Sequence, residues 1–408
     1  MAVELKDIFN SAINNSLFNN KSVLQVRYTP ESIPHRDEQI KSIASILAST
    51  LRGDRPSNLF IYGKTGTGKT LSAQYVSNEL KKKAEELDVN LRFEYLNCKL
   101  KKVADTEYRI LAALIRQLGG SVPTTGLPTD QVWSTFIKLI DSEKKLFVFI
   151  FDEVDQAVKK MSDNFLYSMT RLNQELVNAQ ISIIGISNDV TFLDNIDPRV
   201  RSSLGEEEFV FPPYNAIQLQ DILNSRCKEA FKKGVVSAGV VAKCAAYAAR
   251  EHGDARRALD LLRIAGEISE RDGEKKISEE YIDLANMKME RDKILDIVES
   301  EPKQFQLVLY AILQLTKTIK SDKQLNENAN FFTGDVYNCY SDLCAQIKTD
   351  PLTQRRISDI LAEIDMLGLI NAKIISKGRH GRTREIRLSV PSNLLDKVEA
   401  ILVDSLCL

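Results

Sequence analysis

Short strand-like runs, most of them rich in apolar residues, alternate with segments of helical periodicity through the first half of the chain. The runs span residues 58–62, 92–97, 146–151, 181–187 and 207–211. A run that is apolar throughout, rather than at every second position, is typical of a strand buried on both faces. Because helical segments separate the runs, the pattern predicts an α/β domain in which helices cover both faces of a parallel sheet.

The pattern changes at Pro212-Pro213, where the alternation ends. Residues 214 to about 290 carry apolar side chains at helical spacing only, which predicts a small all-helical domain. We therefore expect three domains, which comprise residues 1–211, 212–290 and 291–408.

The last domain has the element order of a winged helix. Helical periodicity predicts helices from about 334 to 347 and from about 353 to 367, the second ending at Gly368. Two β-type segments follow at 370–376 and 385–390, joined by a loop rich in glycine and arginine. Helix, turn, helix and hairpin in this order predict a winged-helix fold.

Composition adds constraints on compartment and partners. The 408 residues are 43% hydrophobic and 27% charged, with 55 Lys and Arg against 56 Asp and Glu, so any basic surface must be local. No apolar run is long enough to span a bilayer, and the six cysteines form no Cys-x-x-Cys pair. We expect a protein of the reducing cytoplasm, with no membrane partner and no structural zinc.

A complete Gly-x-x-x-x-Gly-Lys-Thr phosphate loop follows the first apolar run and precedes a helical segment, which is the context that the motif requires. Glycines let backbone N–H groups approach phosphate oxygens. Lys69 can reach the β and γ phosphates, and the Thr70 hydroxyl can hold magnesium. The predicted nucleotide-binding residues of this loop are Gly63, Lys64, Thr65, Gly66, Thr67, Gly68, Lys69 and Thr70.

Acidic and amide residues follow the later apolar runs. Asp152 and Glu153 come after the run 146–151, and Asn188 comes after the next run. In phosphate-loop enzymes such an aspartate holds magnesium, here together with Thr70. Glu153 is placed to polarise the attacking water and Asn188 to orient it.

Positive charge is concentrated in the predicted wing and at the start of the helix before it. Glycines between the arginines allow a close approach to a DNA groove, and Arg and Gln side chains can contact phosphates and base edges. The opposing interpretation is a winged domain that binds protein through a solvated loop. The predicted DNA-binding residues are Thr353, Gln354, Arg355, Arg356, Lys377, Arg379, His380, Arg382 and Arg384.

In their order, these motifs resemble those of an AAA+ ATPase. The phosphate loop, the Asp152-Glu153 pair, Asn188 and Arg256 correspond to Walker A, Walker B, sensor 1 and sensor 2 of that family. The resemblance implies that ATP or ADP binds with Mg²⁺ between the sheet domain and the helical domain. Arg256 would reach the γ phosphate when those domains close. The other residues expected around the nucleotide are Tyr28, Arg36 and Tyr214.

Two features narrow the resemblance to archaeal origin-recognition and cell-division-control initiators. Residues 97–109 lie between the Walker motifs and resemble the extra helical element of that family, and the predicted winged helix ends the chain. The resemblance implies a nucleoid-associated protein whose partners are double-stranded origin DNA, other initiator subunits and the minichromosome-maintenance helicase. Lys99 and Arg109 are candidate DNA contacts in the extra element, with a surface helix packed on the ATPase domain as the equal alternative.

AAA+ proteins complete their site with an arginine from a neighbouring subunit. Arg201 is the nearest candidate here and Arg199 the next, while some relatives carry arginine where Ser203 aligns. Such an arginine raises turnover by roughly 10³–10⁵-fold. If it is misplaced, hydrolysis is slow and ATP acts mainly as a conformational ligand. Arg201 as an ordinary surface charge is the open alternative.

We interpret the chain as an ATP-dependent replication initiator that binds origin DNA and helps load the replicative helicase, with slow ATP hydrolysis as a switch. One alternative is a winged-helix transcription regulator switched by ATP, which footprinting at promoters would reveal. Another is a clamp-loader-like remodelling ATPase with fast turnover, which the wing disfavours.

Overall fold

The five strand-like runs form one parallel sheet in the computed structural model. Its strands are β1 (Asn58–Tyr62), β2 (Leu91–Asn97), β3 (Leu146–Asp152), β4 (Gln180–Ser187) and β5 (Glu206–Val210), in the spatial order β2-β3-β4-β1-β5. Every neighbouring pair is parallel. The predicted sheet is therefore confirmed, and each strand begins and ends within one residue of its strand-like run.

The chain divides into two units, Met1–Ile282 and Asp283–Leu408. The first unit contains both the sheet and the helices that follow it. The structure describes residues 16–25, 28–30, 32–99, 106–123, 126–161, 163–204, 206–321, 331–376, 382–406 and 408.

Helices cover both faces of the sheet. Alternate residues of β1 face opposite sides, so Leu59 and Ile61 join one apolar cluster while Phe60 and Tyr62 join the other. The first cluster contains α1 (Asp37–Leu47) and α2 (Lys69–Glu86). The second contains α3 (Glu107–Gln117), α4 (Thr129–Ile140), α5 (Val154–Met161), α6 (Asn164–Arg171) and α7 (Pro198–Leu204).

The strand register brings three chain segments to the same edge of the sheet. Asn97 pairs with Asp152 across β2 and β3, and Tyr62 pairs with Ser187 across β1 and β4. Because β4 lies between β3 and β1, the residues that follow these three central strands meet at their carboxyl ends.

The rest of the first unit is helical, as the periodicity predicts. Its helices are α8 (Ala216–Ala230), α9 (Ala238–Arg250), α10 (Ala255–Arg271) and α11 (Glu279–Ser300), and the second unit begins within α11. Asp254 begins α10 by accepting the backbone N–H of Arg256 at 2.8 Å. Gly253 precedes it at φ +68°, where a Cβ atom would lie 2.3 Å from the Tyr214 carbonyl oxygen. Only glycine fits this crossing of the two segments.

The second unit is a winged helix. Its elements are α12 (Lys303–Ser321), β6 (Phe331–Phe332), α13 (Thr333–Gln346), α14 (Gln354–Met366), β7 (Ile370–Ser376), β8 (Arg382–Leu388) and α15 (Leu395–Leu406). The strands form an antiparallel sheet in the order β6-β8-β7. Ile357, Ile360, Leu361 and Ile364 of α14 are buried in one core, and Gly368 ends this helix region at φ +75°. The second hairpin strand begins at Arg382, earlier than the predicted 385.

Candidate functional site

The phosphate loop lies between the end of β1 and the start of α2, with its glycines in conformations that other residues avoid. The φ angles are +150° at Gly63, +72° at Gly66 and +89° at Gly68. A Cβ atom at Gly66 would lie 1.7 Å from Oδ1 of Asp254 at the start of α10. The loop thus opens towards the N-terminus of α2, where a helix favours an anion, while its rim touches the helical part of the unit.

Lys69 is buried, with 5% of its surface exposed, and its ammonium group is held from three sides. Nζ donates to the carbonyl oxygens of Gly63 at 2.7 Å and Lys64 at 2.8 Å, and to Oδ1 of Asn188 at 2.9 Å. Burial lowers the pKa of the Lys69 ammonium to about 8, against the attraction of Asp152. The sequence-predicted phosphate lysine and the predicted water-orienting amide are therefore in direct contact.

Asp152, at the end of β3, receives hydrogen bonds on both carboxylate oxygens. Oδ2 accepts from the Thr70 hydroxyl at 3.0 Å and from the Tyr95 hydroxyl at 2.7 Å. Oδ1 accepts from the backbone N–H of Glu153 at 3.0 Å. A hydroxyl and a carboxylate this close at a phosphate loop are hard oxygen ligands of the kind that Mg²⁺ takes alongside substrate phosphates, so these residues fit the ion.

Glu153 has a left-handed backbone conformation, with φ at +54°. This conformation is uncommon outside glycine and carries strain, which proteins often keep at functional positions. It turns the chain away from β3 directly after Asp152. The Glu153 carboxylate is 3.4 Å from Nζ of Lys99, so this predicted DNA contact forms an ion pair with the predicted general base.

A buried carboxylate holds the end of β4. Asp155 is 2% exposed, and its Oδ1 accepts the Ser187 hydroxyl at 3.1 Å. The Ser187 oxygen in turn accepts the backbone N–H of Asp189 at 3.0 Å. These bonds secure the residues on either side of Asn188, whose side chain points at Lys69.

A cavity of about 540 Å³ extends from the phosphate loop to the helices α8 and α10. The predicted residues that line it, besides residues 65–70 of the loop, are Tyr28, Asp152, Glu153, Asn188, Tyr214 and Arg256. The end away from the loop is lined by apolar side chains and by polar groups of α8: Val23, Leu24, Ile33, Ile222, Arg226, Glu229 and Leu259. A phosphate loop at one end of a cavity and apolar side chains at the other suit a nucleotide.

The sequence did not predict several of the residues that line the cavity. Tyr95 and Asn97 line the cavity from β2, and Ile222 and Leu259 line it from α8 and α10. Ile222 and Leu259 recur at the same helical spacing as core residues, so the sequence alone does not distinguish cavity-lining positions from core positions. The sheet order is what brings Tyr95 to Asp152.

Arg36 lies behind the phosphate loop and does not line the cavity. It is 1% exposed, with Nε 2.8 Å from the Thr67 carbonyl oxygen and one terminal nitrogen 2.6 Å from that of Pro212. Its guanidinium carbon lies 3.8 Å from the centre of the Tyr214 ring. Burial lowers its pKa, partly offset by Tyr214. The structure thus makes Arg36 a brace between the phosphate loop and the segment before α8, rather than a group facing a nucleotide.

The two candidate arginine fingers are exposed and paired within the chain. Arg201 contacts Oδ1 of Asp194 at 3.1 Å and Oε1 of Glu208 at 3.6 Å. Arg199 contacts Asp197 at 2.9 Å. Neither arginine is among the residues that line the cavity of its own chain.

In the winged helix, Thr353 begins α14 by accepting the backbone N–H of Arg356 at 3.4 Å. Gln354, Arg355 and Arg356 are exposed on its first turn. Arg384 behaves differently, because it is half-buried and donates through Nη1 to the carbonyl oxygen of Ser358 at 3.1 Å. It therefore ties β8 to α14.

Some predicted contacts receive no structural account. Lys377, Arg379 and His380 lie outside the described residues, as does the side chain of Arg382. Arg109 is half-buried in the first turn of α3, where its backbone N–H donates to the Thr106 hydroxyl.

Within the part of the chain that the structure describes, no helix is long and apolar enough to cross a membrane.

Comparisons with known proteins agree with this architecture along most of the chain. Residues 52–190 match the family model of an AAA domain, residues 220–287 that of the Cdc6 AAA+ ATPase-type lid domain, and residues 296–398 that of the CDC6 C-terminal winged helix domain. The fold and site thus define an AAA+ protein with a lid domain and a C-terminal winged helix.

Similarity to individual proteins identifies the family within this class. An ORC1-type DNA replication protein of Pyrococcus furiosus is 49% identical over 96% of this chain and 91% of its own. ORC1-type DNA replication protein 1 of Methanosarcina mazei is 48% identical over 97% of this chain and 94% of its own. The chain belongs to the family of ORC1-type DNA replication proteins.

Solved structures agree. The Orc1 protein of Aeropyrum pernix, whose structure was solved in complex with DNA, is 40% identical and has a TM-score of 0.82, covering 95% of this chain and 97% of its own. Cdc6p of Pyrobaculum aerophilum has a TM-score of 0.59 at 21% identity, covering 96% of this chain and 99% of its own, which shows the shared fold.

Proposed function

We propose that this chain is an ATP-dependent replication initiator that binds double-stranded origin DNA. The observation that carries the proposal is its likeness to Aeropyrum pernix Orc1, which extends over 95% of the chain and whose structure contains DNA. The complete phosphate-loop site in the same chain adds the nucleotide dependence.

ATP or ADP would occupy the cavity with its phosphates at the loop. The backbone of residues 65–70 and the Lys69 ammonium would bind the phosphates, and the apolar end beside Ile222 and Leu259 would take the base. Arg256 lines the cavity from the first turn of α10, so it would contact the terminal phosphate from the lid side. The loss of that phosphate would remove this contact and release the lid.

Hydrolysis would use the groups at the ends of β3 and β4. Thr70 and Asp152 would hold Mg²⁺, which supplies charge neutralisation at the phosphates when bound. Glu153 would polarise the attacking water, and Asn188 would orient it from the neighbouring strand. The ion pair with Lys99 would help to hold the Glu153 carboxylate in place beside the cavity.

Arg201 would act on the nucleotide of an adjacent subunit. Its ion pairs with Asp194 and Glu208 are exposed, and such pairs stabilise a protein by about 0–1 kcal/mol, so a neighbouring phosphate would displace them readily. An isolated subunit lacks this arginine in its own cavity and would hydrolyse ATP slowly.

The winged helix would hold the duplex. Gln354, Arg355 and Arg356 on the exposed first turn of α14 would contact base edges and phosphates, and the wing from Lys377 to Arg384 would contact the backbone or the minor groove. The nucleotide state of the cavity would control remodelling of that DNA and loading of the replicative helicase, a role that comes from the family resemblance.

Footprinting of the purified full-length protein on genomic origin fragments tests the proposal. We expect protection near replication start sites that depends on an ATP analogue, and retention of added replicative helicase on the protected fragments. Protection confined to promoters, without helicase recruitment, would contradict it. If the protein protects no duplex at physiological salt, the proposed DNA binding itself is refuted.

A further inference from the structure

Tyr95 reaches the candidate magnesium aspartate from the neighbouring strand. It pairs with Ile150 across β2 and β3, two residues before the Asn97–Asp152 pair. Ile150 and Asp152 point to the same face of the sheet, and Tyr95 shares that face with them. Its ring packs against the apolar cluster of α1 and α2, and its hydroxyl lies 2.7 Å from Oδ2 of Asp152.

The Tyr95 hydroxyl is itself held in place. The Tyr95 ring packs against apolar side chains, and its O–H donates to the carboxylate of Asp152. Asn97 follows two residues later on the same face of β2 and lines the cavity, and its Oδ1 accepts the backbone N–H of Lys99 at 2.9 Å. The donor is therefore oriented before any ligand binds.

Asp152 Oδ2 thus accepts two hydroxyl groups, from Thr70 on the phosphate loop and from Tyr95 on β2. Thr70 would turn its oxygen towards a bound ion, which leaves Tyr95 as the side chain that keeps the carboxylate in position. Partners of metal ligands that act in this way change metal affinity by about 10–100-fold when removed.

We propose that Tyr95 is a positioning residue for magnesium at the nucleotide site, acting through the carboxylate of Asp152. The inference rests on the proposed nucleotide binding and adds a residue to it. Tyr95 does not serve as a ligand of the ion or of the phosphates. Its effect is confined to the magnesium-dependent part of nucleotide affinity.

Equilibrium binding of a fluorescent, non-hydrolysable ATP analogue to the full-length protein tests this, first in excess EDTA and then across a magnesium titration. Tyr95→Phe keeps the ring and removes the hydroxyl. We expect it to raise the magnesium concentration for half-maximal enhancement about tenfold and to leave affinity in EDTA unchanged.

Tyr108→Phe is the matched control, because the Tyr108 hydroxyl donates to the Pro123 carbonyl oxygen at 2.6 Å and does not line the cavity. It should bind like the unaltered protein under both conditions. A double variant of Tyr95→Phe with Asp152→Asn should match Asp152→Asn alone, since Tyr95 acts only through that carboxylate.

Three results would overturn the inference while leaving nucleotide binding intact: an unchanged magnesium midpoint in Tyr95→Phe, an equal loss of affinity in EDTA, or additive effects in the double variant. Failure of the unaltered protein to bind the analogue with magnesium would overturn the proposed nucleotide function and this inference together.

Discussion

Nζ of Lys69 donates a hydrogen bond to Oδ1 of Asn188 across 2.9 Å. The two residues are far apart in sequence: Lys69 begins α2 after the phosphate loop that follows β1, and Asn188 follows β4. The pairing of β1 with β4 brings them together. The contact links the group expected to bind phosphate with the group expected to orient water. Replacing each residue in turn therefore tests whether the two steps can be separated.

Replacing Lys69 with alanine should remove nucleotide binding and preserve the fold. The variant loses a charged donor at the phosphates, and we expect affinity for ATP and ADP to fall at least about a hundredfold. Equilibrium nucleotide binding measures the loss, and circular dichroism checks the fold. Lys81→Ala, at an exposed position of the same helix, is the control. Tight nucleotide retention by Lys69→Ala would refute the assigned site.

Asn188→Ala should separate binding from turnover. Water orientation matters only in the reaction, so we expect the hydrolysis rate to fall about a hundredfold, as when one oriented polar group is lost from an active site, while ATP affinity changes little. Single-turnover hydrolysis and equilibrium binding, measured side by side, make the distinction. Equal losses in both would assign Asn188 to holding Lys69 rather than to orienting water.

Arg201 can be tested by mixing subunits. Arg201→Ala should lower hydrolysis by roughly 10³-fold, and Lys69→Ala should abolish it in its own cavity. A mixture of the two variants on DNA should regain activity, because Lys69→Ala subunits supply Arg201 to the intact cavities of their neighbours. If the mixture hydrolyses ATP no faster than the two variants do separately, Arg201 is an ordinary surface charge.

Two arginines of the same strand should differ in their effects on DNA binding. Arg384 is bonded to Ser358 on α14, whereas Arg387 is exposed. Arg384→Ala should weaken DNA binding, reduce the log–log salt slope by roughly 0.9 and lower the stability of the winged helix by about 1 kcal/mol. Arg387→Ala, the control, should leave stability unchanged. Salt titrations and thermal denaturation measure both effects.

Arg379→Ala should reduce the same slope by roughly 0.9, since the sequence places Arg379 in the wing loop. Fluorescence anisotropy on an origin duplex at several salt concentrations gives the slope. An unchanged slope in both Arg379→Ala and Arg384→Ala would remove the wing from the DNA interface.

The elements that sequence predicted well are those with a strong local signal. β1 is apolar from Leu59 to Tyr62 and β3 from Leu146 to Phe151, as expected of buried strands, and the sequence therefore predicted their bounds to within one residue. β8 begins with Arg382, Thr383 and Arg384, whose polar character concealed its first residues. The two-residue strand β6 has no periodicity at all, so it could not be seen.

For the candidate site, the phosphate loop and Asp152 were predictable because their spacing is fixed by local chain geometry. The contact of Tyr95 with Asp152 depends on β2 lying beside β3, and the position of Arg36 depends on how the chain returns at Pro212. Both follow from tertiary arrangement, which residue spacing along a single chain does not contain.

The brace formed by Arg36 joins the carbonyl oxygens of Thr67 and Pro212 through one planar side chain. Since Pro212 leads into the lid helices, a displacement of those helices would act on the phosphate loop through Arg36 as well as through the cavity. The guanidinium group would then transmit the same displacement in the opposite direction, from the loop to the lid.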